Sequence, residues 1–380
     1  MNVYINDVSA YLPNEPIDNN RIEDILGKVN DLPSRTKRIV LKNNGIKQRH
    51  YAIDPNTGEL THTNAELAAE AIRRLRPFPG FKLAEVDTLC CGTTSPDLLF
   101  PGHALMVLGE LGMPPCDAVS THGICISGMT ALKYAYMNVA LGMSDKAVAS
   151  ASELSSSFMR AGFLSSPPVS NADLTKKPIR AFDADFLRWM LSDGAGAVVL
   201  SQKQADDRLS LRIDWIEHIS YAGQIDTCMY AGGVKQLDGH VIGWRQSESI
   251  EAAKKPSLFS VRQDIKLLER HIVPTMGQAL RTIADKHALH PGEVDWFLPH
   301  YSSAYFRPKF YDIMKKMNFT IPEEKWYSNL ATKGNTGSAA IYIILEELFH
   351  SGRIQKGEKL LCFIPESARF SYCFMLLTAV

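Results

Sequence analysis

Residues 121–142, THGICISGMTALKYAYMNVALG, combine a lone cysteine with the start of an amphipathic helix. Met129, Leu132, Tyr136 and Val139 recur at spacings of three and four residues, which places them on one helical face. Cys125 lies just before that face, where the positive end of the helix dipole favours a thiolate. A thiolate is a nucleophile that can accept an acyl group. Taken alone, however, the stretch favours a packed core cysteine, because free cysteines are among the most buried residues.

The composition indicates an ordinary globular protein with no bias toward charged partners. The chain has 380 residues, 45% hydrophobic and 22% charged, with a formal net charge of zero. This balance argues against a nucleic-acid-binding or acidic-membrane role. The seven cysteines form no regular framework and no CxxC pair, so we expect reduced thiols and no structural zinc or other metal. The first 16 residues fit neither a signal peptide nor a membrane anchor, and the protein is predicted to be cytoplasmic.

Strand and helix patterns alternate twice along the chain, which indicates an α/β fold with sheets covered by helices. The length favours two domains or a duplicated one. We therefore predict two similar halves, residues 1–204 and 205–380. Residues 155–185 are rich in Ser, Pro, Asn and Lys, and residues 220–255 are polar and aperiodic, so both are predicted to be insertions.

Three polar residues stand where a strand-like run gives way to a turn or helix: Cys125, His300 and Asn335. Loops at strand ends carry catalytic groups because a rigid sheet positions them. Cys125 could hold an acyl group as a thioester, while neutral His300 and Asn335 could both donate hydrogen bonds to an enolate or oxyanion. Each has a plainer interpretation: a core cysteine, a structural histidine after proline, and a left-handed Asn in a glycine turn.

A basic run between residues 33 and 49 includes Arg38, Lys42 and Arg49. A solvated face is the usual explanation of such a run. The alternative is a landing site for the phosphorylated group of a carrier.

Several blocks in order resemble the thiolase-fold condensing enzymes, and among them 3-oxoacyl-acyl carrier protein synthase III. The blocks are YLP at 11–13, GIKQRH at 45–50, VDTLCCGTTSPDLLFPGHALMVLGELG at 86–112, HGICISGMTALKYA at 122–135, SDGAGAVVL at 192–200, LPHYSSAYF at 298–306 and KGNTGSAAI at 333–341. Ordered blocks along nearly the whole chain are far more specific than any single motif.

The resemblance implies a thiolase-like fold, with two similar α/β halves in a five-layered α-β-α-β-α arrangement. It implies a catalytic set of Cys125, His300 and Asn335, a homodimer, and phosphopantetheine-linked substrates carried by acyl carrier protein or coenzyme A, with no other cofactor. Residues 155–185 and 220–255 fall where the family builds the lid over its acyl tunnel and part of its dimer contact. Their extra length suggests a bulky acyl group.

The chain departs from the family in two places. Where the family has a glycine-rich loop, residues 365–370 read PESARF, so we propose Glu366 as a base and Ser367 as an accessory residue. Ile39 and Asn43 stand where the family commonly has an aromatic residue and an arginine near the coenzyme A adenine. This second departure favours a carrier-protein donor.

The predicted reaction is Claisen condensation of an acyl group on Cys125 with a malonyl- or 3-oxoacyl-thioester, in fatty acid or polyketide-type biosynthesis. Alternatives within the fold are a resorcinol-forming ketosynthase and cyclase, or acyl transfer to an alcohol or amine. A non-catalytic partner subunit of a heterodimer is the alternative from another class.

Overall fold

The structure, a computed structural model, describes residues 1–31, 33–34, 36–164, 186–246, 248–249 and 258–380. Its strands are β1 Tyr4–Tyr11, β2 Ile17–Asp18, β3 Gln48–Arg49, β4 Thr88–Thr93, β5 Asp117–His122, β6 Lys146–Glu153, β7 Gly194–Ser201, β8 Leu211–Ser220, β9 Met229–Tyr230, β10 Gly233–Lys235, β11 Val241–Gly243, β12 Arg262–Gln263, β13 Trp296–Pro299, β14 Lys359–Glu366 and β15 Ser371–Ala379.

The described helices are α1 Ile22–Leu26, α2 Lys37–Asn44, α3 Asn64–Arg73, α4 His103–Leu111, α5 Ser127–Ala140, α6 Ser156–Met159, α7 Ala161–Leu164, α8 Ile265–His287, α9 Arg307–Lys316, α10 Leu330–Lys333 and α11 Ala340–Phe349. Local sequence explains where two of the main helices begin. Thr63 and Glu66 form a capping box at the start of α3. The Asp264 side chain accepts a hydrogen bond from the Leu267 N–H and caps α8.

Nine of the strands form one sheet, in the order β13-β14-β15-β8-β1-β7-β6-β4-β5. Strand β1 pairs antiparallel with β7 on one side and with β8 on the other, where Tyr4 and Ile5 lie opposite Arg212 and Leu211. The sheet thus consists of an amino-terminal part and a carboxyl-terminal part joined at β1 and β8. The predicted division at residue 205 falls in the connection between β7 and β8, and it stays a prediction.

Three apolar clusters show how the helices cover the two parts of the sheet. One packs α3 and α4 on the amino-terminal part, and a second packs α8 and α9 on the carboxyl-terminal part. The third lies between them and combines α5 and α11 with strands of both parts. The order of layers is therefore helix, sheet, helix, sheet, helix, as the resemblance implies.

The predicted insertions can be followed only in part. Residues 155–164 contain α6 and α7, while the rest of the 155–185 segment lies outside the described residues. In the 220–255 segment, β9 pairs with β12, and β10 pairs with β11. Residues 247 and 250–257 also lie outside the described part of the chain. The lid predicted for 155–185 stays a prediction.

Candidate active site

Cys125 lies in a tight turn between β5 and α5. The Ser127 side chain and backbone N–H both donate to the Ile124 carbonyl, at 2.7 and 3.0 Å, and the Thr121 hydroxyl donates to the Ser127 carbonyl at 2.8 Å. Gly128 lets α5 start close to β6 and to the turn before α11, since a Cβ there would stand 2.7 Å from the Ala151 Cβ and would clash with the Ser338 carbonyl oxygen. The sheet and helix therefore hold the thiol in one place.

Asn335 lies on a turn that is fixed to the amino-terminal half. Its N–H donates to the Met190 carbonyl at 3.0 Å, and its carbonyl accepts from the Ser192 N–H at 2.8 Å. Its side-chain Oδ1 accepts from the Gly337 N–H at 3.0 Å. Because Oδ1 is held in this way, the Nδ2 donors remain available to the cavity that Asn335 lines.

His300 directly follows β13, and its N–H donates to the Phe363 carbonyl of β14 at 2.8 Å. The residue is buried, and Nε2 has no hydrogen-bond partner among the described residues. Burial lowers the pKa of His300 to about 4, so the imidazole is neutral at pH 7. An unpartnered buried polar atom is costly, which is typical of a group that meets a substrate.

One cavity of about 390 Å³ is lined by four of the eight predicted site residues. Cys125, Asn335, Glu366 and Ser367 line it, and Ser367 also accepts a hydrogen bond from Gln263 Nε2 at 2.9 Å. His300 is not among the lining residues, but the two residues that follow it, Tyr301 and Ser302, line the cavity. The volume lies within the usual range for small-molecule sites.

Most of the remaining lining is apolar. Residues from both halves of the chain contribute to it: Phe158, Leu187, Met190, Leu191, Met229, Val261, Leu268, Ile272, Phe306 and Phe310. Such a wall suits an aliphatic or aromatic acyl group, because burying apolar surface is favourable.

Two carboxyl groups stand close to the thiol. Glu366 Oε2 lies 3.5 Å from the Ile124 backbone nitrogen, and Glu153 also lines the cavity. Burial raises the pKa of Glu366, and it raises the pKa of Glu153 to about 7. Sequence reasoning missed Glu153, the last residue of the small-residue strand KAVASASE.

The expectation that the helix dipole makes Cys125 a thiolate is wrong for this resting site. Burial raises the pKa of the Cys125 thiol well above its usual value, and the nearby Glu366 and Glu153 carboxylates raise it further. Burial penalises the thiolate, and like charges repel it. The resting nucleophile is therefore a thiol.

The structure separates the three basic residues proposed as a carrier contact. Arg38 and Lys42 are exposed on α2, where a partner could reach them. Arg49 is fully buried, and its guanidinium donates to Asn19 Oδ1 and to the Trp189 carbonyl. The prediction for Arg49 is wrong, because this side chain ties β3 to the interior and cannot meet a carrier at the surface.

Within the described ranges, no group of three or more His, Cys, Asp or Glu side chains is placed to hold a metal ion. No helix in that part of the chain is both long and apolar enough to cross a membrane.

Two family models match the chain. The model described as 3-oxoacyl-[acyl-carrier-protein (ACP)] synthase III C terminal matches residues 284–363, which include His300 and Asn335. The model described as beta-ketoacyl synthase, N-terminal domain, matches residues 116–206, which include Cys125 and Glu153.

Relatives that match over most of the chain are beta-ketoacyl-[acyl-carrier-protein] synthases III. Beta-ketoacyl-[acyl-carrier-protein] synthase III of Hyphomonas neptunium is 26% identical over 359 residues, which cover 94% of this chain and 93% of the relative. The corresponding protein of Caulobacter vibrioides is 26% identical, with 95% of each chain covered.

Solved structures match the whole fold. AbyA1, a tetronic acid condensing enzyme, matches with a TM-score of 0.74 at 20% identity, over 99% of both chains. The 3-oxoacyl-[acyl-carrier-protein] synthase III of Aquifex aeolicus matches with a TM-score of 0.69 at 20% identity, also over 99% of both. Xanthomonas campestris OleA, solved with lauric acid and lauroyl-CoA, gives 0.73 at 17% identity, over 100% of this chain and 99% of OleA. These matches confirm the predicted thiolase-like fold.

Proposed function

This chain is a 3-oxoacyl-[acyl-carrier-protein] synthase III-like condensing enzyme of the thiolase superfamily, and we propose that it joins two acyl units by Claisen condensation, with Cys125 as nucleophile. The observation that carries this proposal is the cavity in which Cys125, Asn335 and an apolar wall meet. A cysteine beside amide donors and a cavity suited to an acyl chain is the arrangement that thioester chemistry requires.

In the first step the Cys125 sulfur attacks the thioester carbonyl of the acyl donor. The bond between the acyl carbon and the donor sulfur breaks, the thioester on Cys125 forms, and the Cys125 proton ends on the released donor thiol. The tight turn before α5 holds the sulfur in place, so little entropy is lost in orienting the nucleophile during the reaction.

In the second step the other substrate becomes an enolate: a malonyl-thioester loses its carboxylate as carbon dioxide, or a 3-oxoacyl-thioester loses a proton from the carbon next to the thioester carbonyl. His300 and Asn335 donate hydrogen bonds to its oxygen, since His300 is neutral with Nε2 unpartnered and Asn335 has its Oδ1 already engaged. Donors fixed beforehand at the site of developing charge stabilise it most. The enolate carbon attacks the Cys125 thioester, a 3-oxoacyl product forms, and the Cys125 sulfur leaves.

The substrates are proposed to carry a phosphopantetheine arm, from acyl carrier protein or coenzyme A, with no further cofactor bound. Exposed Arg38 and Lys42 on α2 are the proposed contact for the phosphorylated group, because cations on a helix surface attract phosphate and acidic carriers. The pathway is proposed to be fatty acid or polyketide-type biosynthesis. A reducing, cytoplasmic location suits a chain whose seven cysteines are all free.

We propose a homodimer that forms along β5. This strand is an edge of the nine-stranded sheet, and an unpaired edge invites pairing with another strand. Exposed apolar side chains also lie on the loop before α4, on α4, on α5 and just after α5: Leu98, Leu99, Phe100, Leu105, Met137 and Leu141. A second copy of the chain would cover the edge and the apolar surface together.

Acylation of Cys125 tests the function directly. The purified protein is incubated with acyl-coenzyme A and acyl-carrier-protein panels, and its intact mass is measured with Cys125→Ala as control. The expected result is one acyl adduct on the wild type and none on the variant. If no donor acylates the wild type where an authentic synthase is acylated in parallel, the chain is a non-catalytic subunit and the proposal fails.

A further inference from the structure

The charge of the cavity is one-sided. Among the described residues that line it, Glu153 and Glu366 are acidic, and none is a lysine or arginine. The other titratable lining groups are His122, which is exposed, Cys125, and two tyrosines. A substrate that carries a carboxylate would therefore be repelled in this cavity, and no lysine or arginine in the described lining would compensate.

The two carboxyl groups differ in how firmly they are held. Glu153 Oε1 accepts three hydrogen bonds, from the Thr94 N–H at 3.1 Å, the Thr94 hydroxyl at 2.5 Å and the Ser338 N–H at 3.0 Å. These bonds make Glu153 a positioning residue that joins β6 to the two turns. Because Oε1 is engaged by both turns, the Glu153 side chain is less free to move toward a substrate than that of Glu366.

Glu366 is held much more loosely, at the last position of β14. It is 8% exposed, forms no ion pair with a described residue, and is contacted by two backbone donors, the Ile124 N–H at a long 3.5 Å and the Arg369 N–H. A Cβ on Gly123 would stand 3.8 Å from Oε2, so the carboxylate lies over the segment that leads to Cys125. A buried carboxylate with spare acceptor capacity beside a nucleophile is suited to general-base work.

A malonyl unit carries its own carboxylate, and it would bring a third carboxyl group into a cavity whose described lining has no lysine or arginine. A thioester without a free carboxylate avoids this repulsion. Such a substrate loses no carbon dioxide, so its enolate forms only if a base removes a proton from the carbon next to the carbonyl.

Building on the proposed function, we propose that Glu366 is this base, and that the second substrate is a non-carboxylated acyl or 3-oxoacyl thioester. The Cα–H bond of the substrate breaks, the proton moves to the Glu366 carboxylate, and the electron pair forms the enolate. The new carbon–carbon bond forms as the bond between the acyl carbon and the Cys125 sulfur breaks. Glu366 then returns the proton to the Cys125 thiolate, and no oxidant or reductant is needed.

The high thiol pKa supports the last transfer. A thiolate whose negative charge is disfavoured by burial and by two carboxylates takes a proton readily from a neighbouring carboxylic acid. The same groups that keep the resting Cys125 protonated therefore favour reprotonation of its thiolate after each turnover.

Three measurements on wild type and Glu366→Gln test this inference. The first is the intact mass after acyl loading, the second is carbon dioxide release with malonyl against non-carboxylated thioesters, and the third is exchange of α-deuterium from a labelled acyl thioester into water. Glu366→Gln keeps the size and hydrogen-bonding oxygen of the side chain but cannot accept the proton. Glu59→Gln, at an exposed glutamate that does not line the cavity, is the matched control.

The wild type should form product from non-carboxylated thioesters without releasing carbon dioxide, and it should wash out the deuterium. Glu366→Gln should still load Cys125 but lose condensation and exchange by about 10²- to 10⁴-fold, the usual contribution of a general base. Thermal melting checks that Glu366→Gln is folded, and the wild-type carbon dioxide and exchange results decide the question if it is not.

The outcomes separate the two proposals. Product that forms only from malonyl thioesters with carbon dioxide release overturns the role of Glu366, as does unchanged exchange in Glu366→Gln. Both results leave acylation of Cys125 intact. Failure of the wild type to acquire any acyl group removes the proposed function itself and this inference with it.

Discussion

Gly128→Ala should weaken both the fold and the acylation of Cys125. The new Cβ would stand 2.7 Å from the Ala151 Cβ on β6 and closer still to the Ser338 carbonyl oxygen. Neither neighbour is the end of a flexible side chain, so the start of α5 has to move. Overpacking of this kind costs about 1–3 kcal/mol.

The expected change in melting temperature follows from the size of the chain. An unfolding entropy of about 2.1 cal/mol/K per residue over 380 residues gives about 0.8 kcal/mol per degree. A loss of about 3 kcal/mol therefore lowers the melting temperature by about 4 °C. Because Cys125 lies three residues before Gly128, the same shift moves the sulfur and should slow acylation about tenfold or more.

The assay combines thermal melting with the rate of acyl-adduct formation by mass spectrometry. Gly292→Ala is the matched control, because a Cβ added at Gly292 would meet no atom within 4 Å and the residue lies far along the chain from Cys125. It should melt within about 1 °C of the wild type and acylate at the wild-type rate. If Gly128→Ala melts and acylates like Gly292→Ala, the close packing at the start of α5 does not position the thiol.

Three further predictions address pH, specificity and assembly. Burial raises the pKa of Glu153 from 4.5 to about 7, so the folded state binds this proton more tightly than the unfolded state. The free energy of unfolding should therefore fall as the pH rises between these two values. In urea unfolding, Glu153→Gln should show a flatter decline with pH than the wild type, and the same dependence on pH in both proteins would contradict this cause. Leu268→Ala should lower the free energy of unfolding by about 2–5 kcal/mol, because Leu268 is buried. Because Leu268 also lines the cavity, the variant should prefer longer acyl thioesters than the wild type in competition assays. An unchanged preference would exclude Leu268 from the acyl site. Phe100→Asp should shift the protein toward monomers in sedimentation velocity. Leu237→Asp, a control at an exposed hairpin turn, should leave the oligomeric state unchanged. If Phe100→Asp remains a dimer, the β5 interface is wrong.

Much of the fold could be predicted from local pattern. Alternation over residues 2–11 predicts a strand and apolar spacing over 267–287 predicts a helix, and β1 and α8 correspond to them within a few residues. Apolar spacing also predicts a helix over 19–29, but the helix found there is shorter, Ile22–Leu26, and Gly27 with a φ of 75° follows it. A glycine with a positive φ ends the helix where apolar spacing alone continued it.

The candidate site was predictable in its residue types and less so in its electrostatics. Cys125 and Asn335 do line one cavity, and Glu366 joins them although the chain places it 241 residues after Cys125. Arg49 was misplaced, because a basic run in sequence does not reveal which of its side chains turns inward. Glu153 was missed, because nothing in the sequence shows that its strand ends beside the nucleophile.

The sequence by itself determined the elements and the residues with chemistry, since helix periodicity, strand alternation and glycine turns act over only a few neighbouring positions. Only the tertiary structure decided the charge state of those residues. A pKa depends on what surrounds a group in space, and the burial of Cys125 together with two carboxylates from distant strands reversed the thiolate that its helix-start position predicted. Proximity along the chain sets backbone conformation, whereas desolvation and charge repulsion act through space.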